Sequence, residues 1–176
     1  IKYWLAAAQK SHGRFANAES VGHAQNGLQL LRRLPETEEH TRQELLLLTM
    51  QGWSLAYLKG YGAPEVWPPF ERARLLCDRL ERTPLKFQAL AGMWIYHTFL
   101  AQYQTAEEIS RQVLELAERL NDRGGVAFGH LTISCVALFV GDCARTLDHA
   151  HASLAAYTPN EKDALGVLYG FHPTAL

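Results

Sequence analysis

The sequence predicts an all-α fold in which helix hairpins stack in about four repeats of 40–46 residues. Two observations lead to this prediction. Almost every segment carries apolar residues at the spacing of an amphipathic helix, and no segment shows the sustained alternation typical of strands. A pattern of small or apolar residues also recurs four times. Because a single hairpin cannot bury its apolar face alone, recurring hairpins predict a stacked array with a shared core.

The recurring pattern places small or apolar residues at i, i+3 and i+7, which lie on one face of a helix. Its four occurrences are Ala24/Gly27/Leu31, Phe70/Ala73/Cys77, Ser110/Val113/Ala117 and Ala150/Ser153/Tyr157. The middle residues are 46, 40 and 40 positions apart. We expect each of these faces to pack closely against the longer apolar helix that precedes it.

Turn signals separate the predicted helices. Within repeats, short turns containing glycine or an aromatic residue fall at 12–15, 59–62, 101–103 and 140–142. Between repeats, polar or proline-marked turns fall at 35–37, 83–84, 121–125 and 158–160. These turns delimit nine helices at 1–12, 16–34, 37–59, 65–81, 84–100, 104–120, 123–140, 142–157 and 161–170.

The predicted repeats cover residues 1–35, 36–82, 83–121 and 122–158, with a fifth beginning at 159–176. We expect them to form one domain over 1–176, cut from a longer protein.

One segment conflicts locally with this pattern, because Trp67-Pro68-Pro69 falls where the second helix of the second repeat begins. Proline is tolerated in a first turn but costs roughly 3 kcal/mol in a helix interior. We therefore expect a late start, with Pro68 at the first helical position.

Composition excludes several classes of protein. The chain has 176 residues and a net charge of −1, which provides no basic surface for non-specific nucleic-acid binding. Its longest strongly apolar run, 131–140, is about half the length that a membrane-spanning helix needs. Three widely spaced cysteines, Cys77, Cys135 and Cys143, argue against a disulfide framework and for a reducing compartment. With no signal peptide visible, we expect a cytoplasmic protein that binds neither nucleic acid nor membrane.

The chain resembles the tetratricopeptide repeat, with longer helices. Two stretches carry a more specific resemblance: residues 60–66 leading into 70–77, and residues 164–173. Both look like the helical-repeat region of large bacterial signalling proteins, which join a class III adenylate/guanylate cyclase domain or a winged-helix domain to a P-loop ATPase module. The resemblance implies a right-handed α-α superhelix that serves as a regulatory or scaffolding module. Cyclase and ATPase chemistry would then lie upstream of this chain.

The residues themselves offer little chemistry. Gly124-Gly125 lacks the following Lys of a phosphate-binding loop, so we expect no nucleotide site, no cofactor and no enzymatic activity in this segment. The best metal candidate is 148–151, where Asp148 precedes His149 and His151. Because i and i+2 diverge by roughly 200° on a helix, the two histidines cannot easily share one ion. We expect solvated surface residues there and no metal.

Aromatic and histidine side chains on the first helices of the repeats are the candidate binding residues. In tetratricopeptide arrays these helices line the concave groove that takes a peptide or a partner helix, and Trp and Tyr are typical anchors there. The alternative is that the same side chains fill the core between helices. The candidates are Trp53, Tyr57, Trp94 and His97, with His130 and Ser134 as weaker ones.

Two functions follow from these expectations. The first is a non-catalytic repeat module that contacts a protein or peptide partner, including other domains of the same protein. The alternative is a regulatory domain that senses a small molecule in its concave groove. Self-association through an apolar face such as Leu165/Leu168/Tyr169 is a further expectation.

Overall fold

The computed structural model describes residues 1–79 and 85–157. Its eight helices are α1 (Lys2–His12), α2 (Asn17–Leu31), α3 (Glu38–Lys59), α4 (Trp67–Arg79), α5 (Leu85–Phe99), α6 (Tyr103–Leu120), α7 (Arg123–Phe139) and α8 (Cys143–Ala156). No strand occurs in the described residues, so the predicted all-α class is confirmed. The first eight predicted helices are all present. The ninth, at 161–170, and the apolar face at Leu165/Leu168/Tyr169 lie outside the described residues.

N-capping side chains fix the starts of three helices. Thr37, Asp122 and Asp142 each precede a helix and accept a hydrogen bond from the backbone N–H three residues on. The start of α4 is late, but Pro68 is its second residue and not its first: a 3₁₀ turn over Pro64–Val66 leads into the helix, which begins at Trp67. Pro68 and Pro69 then lie in the first turn of α4, where no intrahelical donor is lost.

Four helix ends share one capping arrangement. The N–H groups of Ala16, Gln102, Asp122 and Asp142 each donate to the carbonyl five residues earlier, all at 2.9 Å. The residue before each donor has a left-handed backbone, with φ of 57° at Phe15, 57° at Ala101, 53° at Asn121 and 82° at Gly141. This is the Schellman arrangement, which satisfies carbonyls left free at a helix end.

The chain divides into two compact units, Ile1–Gly92 and Met93–Leu176, and the boundary falls inside α5. In the first unit α1 packs on α2, α2 on α3 and α3 on α4, and α1 also contacts α3. Leucines of α2 and α3 form much of the core there, together with alanines from α1, α2, α4 and α5. In the second unit α7 packs between α6 and α8.

Phe70 of α4 is one of two fully buried phenylalanines in the first unit, together with Phe87. A Cβ added at Gly52 of α3 would lie 2.7 Å from the nearest atom of the Phe70 ring, and one added at Gly92 of α5 would clash with the same ring at closer range. Trp53 contacts the ring edge-to-face, with centroids 5.4 Å apart. The two glycines therefore make the space that this phenylalanine fills.

A similar close approach joins α6 and α7 in the second unit. A Cβ added at Gly129 would lie 2.9 Å from the Cα of Leu114, so here the neighbour is the backbone of α6.

An ion-pair cluster links α6 and α8 in the same unit: Glu107 of α6 binds Arg145 of α8 at 2.8 Å and Arg111 of α6 at 2.6 Å. These two guanidinium groups, Arg145 first, hold the pKa of Glu107 below its usual value.

The recurring small-residue pattern is buried except at Ala150 and Tyr157 of its fourth occurrence, which are partly buried. Its middle residues Gly27, Ala73, Val113 and Ser153 are all buried in their respective units. Ser153 also donates a hydrogen bond to the carbonyl of Ala127, 2.7 Å away on α7. The pattern therefore marks where α2, α4, α6 and α8 contact their neighbours within each unit.

The three thiols differ in exposure, and their reactivity should follow. Burial raises the pKa of Cys77 to about 12 and raises that of Cys135, while Cys143 is exposed. Titration of the native protein with Ellman's reagent at pH 8 should therefore show one fast thiol and two slow ones. Cys143→Ser should abolish the fast phase, and all three thiols should react at once in denaturant. A fast phase that persists in Cys143→Ser would contradict this assignment.

Candidate functional site

An open groove of about 1070 Å³ runs along α3 in the first unit. Its floor is the face of α3 that carries residues 44, 48, 51, 55 and 59, and its walls come from α2 on one side and from the start of α4 on the other. We call this the α3 groove. Its lining residues are Gln25, Asn26, Leu28, Gln29, Leu31, Arg32, Leu34, Glu36, Glu44, Leu48, Gln51, Leu55, Lys59, Glu65, Pro68, Pro69 and Arg72.

Charged residues of the α3 groove lie toward its two ends. At one end Arg72 binds Glu44 at 2.9 Å, with Arg32 and Glu36 also lining that end. At the other end Lys59 pairs with Glu65, and this hydrogen bond holds the pKa of the Glu65 carboxyl below its usual value. Each end therefore carries an ion pair that is already internally neutralised.

Between these ends the lining is uncharged. The floor there is formed by Leu48, Gln51 and Leu55, and the α2 wall adds Gln25 and Gln29. Leu48 and Leu55 are almost entirely buried, so they present little surface to the groove, whereas the two α2 glutamines are exposed. The accessible lining at the centre of the groove therefore includes carboxamide groups that can both donate and accept hydrogen bonds.

Trp53 and Tyr57, two of the predicted binding residues, do not line this groove. Each lies two positions from a floor residue, which turns it by roughly 200° to the other side of α3. Trp53 is only 7% exposed and packs on Phe70, so it fills the core. Tyr57 is 43% exposed and contacts Tyr61 with ring centroids 6.1 Å apart. Burial raises the pKa of both tyrosines.

Trp94 and His97 belong to the part of α5 in the second unit. Trp94 is 6% exposed and packs edge-to-face on Phe128 of α7, at a centroid distance of 6.4 Å, so it also fills core. His97 is partly buried near the end of α5, where its Nδ1 lies 2.6 Å from Oε1 of Gln102. This contact links the histidine to the turn that follows the helix.

His130 and Ser134 are placed by contacts between α7 and α8. Nδ1 of His130 lies 3.0 Å from Nδ1 of His149, within hydrogen-bond distance, so one ring can donate to the other. Burial lowers the pKa of His130, and the proximity of His149 lowers it further, while Glu118 acts in the opposite direction. Ser134 is buried and donates to the carbonyl of Thr146 at 2.9 Å. The sequence did not anticipate the His130–His149 contact.

A second histidine contact lies inside the first unit. Nδ1 of His12 is 3.1 Å from Oγ of Ser54, and Ser54 in turn donates to Oγ of Ser20 at 3.0 Å. Both serines are fully buried, so no substrate can reach this Ser–His pair. Its role is to satisfy polar groups between α1, α2 and α3. Burial lowers the pKa of His12.

Acid should destabilise the fold through these histidines. Because His12 and His130 have folded-state pKa values below 6.5, the unfolded chain binds protons first as the pH falls. Stability should therefore be unaffected by them well above pH 6.5 and fall progressively below it. Urea unfolding at pH 7.5 and 5.5 should show a lower midpoint at 5.5. The His12→Asn/His130→Asn variant keeps a donor near each Nδ1 position and should lose part of that pH difference; an unchanged difference would contradict the assignment.

The described residues contain no group of three or more His, Cys, Asp and Glu side chains arranged to hold a metal ion. Within the predicted candidate 148–151, Asp148 and His151 are exposed and His149 contacts His130 instead. Among the helices described above, none is both long and apolar enough to cross a membrane.

No protein-family model, no curated protein and no solved structure matches this chain. The α3 groove is a feature that the sequence pattern did not reveal. One face of α3 carries Leu48, Gln51, Leu55 and Lys59, and their spacing is visible in the sequence. The spacing does not show that α2 and α4 leave a groove along this face.

Proposed function

We propose that this chain is a non-catalytic, tetratricopeptide-like helical-repeat module that contacts a protein partner. The α3 groove is the observation that carries the proposal. It is open, about 1070 Å³ in volume, and walled by two helices that flank a third. Grooves between stacked helices are how repeat proteins present long binding surfaces at modest cost in residues.

The repeat assignment is supported by the helix ends. Left-handed residues at Phe15, Ala101 and Gly141 close the turns within the first, third and fourth predicted repeats. The last two are 40 positions apart and the first two are 86 apart, which equals the 46 and 40 of the small-residue pattern combined. A right-handed superhelix built from such hairpins is part of this proposal.

The cellular context is proposed from the resemblance. The module would belong to a bacterial cytoplasmic signalling ATPase or nucleotide cyclase, where it would contact other domains of the same protein or a separate partner. The near-neutral composition favours a protein partner over a nucleic acid.

The alternative function is the sensing of a small molecule. The volume of the α3 groove is slightly above the range of about 300–1,000 Å³ for small-molecule sites, so a small molecule would fit within it. Thermal-shift screening of the chain against a metabolite library that includes cyclic nucleotides tests it. A reproducible rise in the melting temperature, lost in a groove variant, would favour sensing over protein contact.

Comparative affinity capture tests the proposed protein contact. The bait is the wild-type chain, the groove variant Gln25→Lys/Gln29→Lys, or the control Gln104→Lys/Gln112→Lys, in which the same chemical change is made on the exposed surface of α6. We expect one protein from an extract of the source cells to be retained by the wild type and the control and lost from the groove variant. Direct titration of the purified partner should reproduce this order. Equal retention by all three baits would contradict a role for the groove.

A further inference from the structure

We propose that one exposed side of α8 binds residues 163–171 of this same chain, in the register in which α7 binds α6. This side of α8 carries Leu147, Ala150 and Leu154, and we call it the α8 face. Residues 163–171 lie outside the described residues, so their sequence, and not their placement, identifies them as the occupant. The α8 face belongs to the second unit, whereas the partner contact proposed above involves the first.

The α8 face is more exposed than the equivalent sides of α4 and α6. Residues 63–78 and 103–118, which are 40 positions apart, have the same succession of buried, half-buried and exposed side chains. In α8, a further 40 positions on, Leu147 and Leu154 are 59% and 56% exposed where both earlier counterparts are half-buried. Ala150 is half-buried where both of its counterparts are buried. Among the described residues, α8 therefore presents apolar side chains on a side that is covered in α4 and α6.

In α6 the equivalent side is covered by the helix that follows it in the chain. Leu114 of α6 is the counterpart of Leu154, and a Cβ added at Gly129 of α7 would lie 2.9 Å from the Cα of Leu114. Glycine at 129 thus lets α7 approach the backbone of α6 closely. Because the same leucine recurs at 154, the α8 face resembles the surface that α7 contacts on α6. A segment that binds the α8 face in this way should carry a glycine at the position of Gly129.

Such a segment follows α8 in the sequence. Four residues at the start of α7 recur identically 41 positions later, and Phe128 is matched by Tyr169: Asp122, Gly125, Val126 and Gly129 return as Asp163, Gly166, Val167 and Gly170. In α7 the first of the four caps the helix, since Asp122 accepts a hydrogen bond from the N–H of Gly125 at 3.1 Å. The last of the four is the glycine that admits α6. Residues 163–171 therefore repeat both the helix start and the contact glycine of α7.

The sequence match sets the register of the docked segment. Gly170 lies against Leu154, and Asp163 caps the helix that the segment forms. Leu165 and Leu168 occupy positions whose counterparts in α7 are buried. Docking removes apolar surface of both the segment and the α8 face from water, which stabilises the contact.

A pair of engineered cysteines tests this register in the full chain. In a Cys143→Ser background, Leu154→Cys/Gly170→Cys is equilibrated with oxidised and reduced glutathione, and the effective concentration of the two thiols is measured. It should exceed that of the control Ala155→Cys/Gly170→Cys about tenfold or more. Position 155 corresponds to the exposed Glu115 of α6, so it points away from the docked segment. Nearly the same length of chain separates both pairs, so an undocked segment would give equal values.

Hydrogen exchange followed by mass spectrometry provides an independent measurement. Amides of residues 163–171 should be protected in the wild type, and Leu154→Asp should reduce their protection about tenfold or more. Ala155→Asp, which adds the same charge one position along α8, should leave their protection unchanged. Because Leu154 is exposed among the described residues, protection in α6 and α7 should be the same in all three proteins.

Three outcomes would overturn the inference: equal effective concentrations for the two cysteine pairs, protection of 163–171 that Leu154→Asp leaves unchanged, or a disulfide that joins two chains. In the last case the occupant of the α8 face would be a second copy, and the cross-link would depend on protein concentration. A docked segment of the same chain should instead give a cross-linked monomer at every concentration. The capture experiment on the α3 groove is separate, so either proposal can fail while the other stands.

Discussion

Replacing Phe70 with Ala should lower the free energy of unfolding by about 3–5 kcal/mol, the range for deleting a buried aromatic ring. Phe70 is fully buried, and its ring fills the space that Gly52, Gly92 and Trp53 leave between α3, α4 and α5. Because other packing contacts also hold the surrounding helices in place, we expect them to collapse only partly into the cavity. Urea unfolding followed by far-UV circular dichroism measures the loss.

The glycines provide the matched test of this explanation. Gly92→Ala puts a methyl group where the Phe70 ring lies and should destabilise the protein by about 1–3 kcal/mol through overpacking. Adding Phe70→Leu to Gly92→Ala should recover part of that loss, so the two changes should be strongly non-additive. Additive effects would mean that the ring and the glycine do not compete for the same space.

Gly129→Ala should destabilise the second unit, also by about 1–3 kcal/mol. The added Cβ would lie 2.9 Å from both Cα and Cβ of Leu114, so α6 and α7 must move apart to accept it. No side-chain rotation relieves a clash with backbone. The loss should appear even though Ala favours the helical state over Gly by about 1 kcal/mol. Thermal unfolding should give a lower Tm, by about 2–4 °C per kcal/mol for a chain of this size.

Gly22→Ala is the control for this second prediction. Gly22 lies within α2, and a Cβ added there meets nothing within 4 Å. The same chemical change should therefore raise the free energy of unfolding by about 0.5–1 kcal/mol, because only the backbone preference acts. If both glycine variants shifted stability in the same direction, the close approach at Gly129 would not be the cause.

The helices and their ends follow from local sequence. Apolar spacing located all eight described helices, and prolines 68 and 69 predicted a late start of α4, which begins one residue before the predicted position, at Trp67. These features depend on residues within a few positions of one another, since periodicity, side-chain caps and the missing proline N–H act locally. The small-residue pattern likewise marked buried faces, because the same local period decides which side of a helix is apolar.

The roles of individual side chains depended on distant residues. Trp53 and Trp94 were candidates for either groove or core, and contacts with Phe70 and Phe128 place them in the core. The His130–His149 contact joins residues on α7 and α8 that no local pattern relates. Gly92 and Gly129 accommodate the ring of Phe70 and the backbone of Leu114, neighbours that no local pattern identifies.

The sequence alone therefore determined an all-α chain with its helix boundaries, its turns and its buried small-residue faces. Tertiary structure alone decided where a surface stays open. The α3 groove exists because α2 and the start of α4 contact α3 on either side of one face and leave a groove along it. Local periodicity gives the direction of each side chain around its own helix axis, but the distance between two neighbouring helices depends on packing across the whole unit.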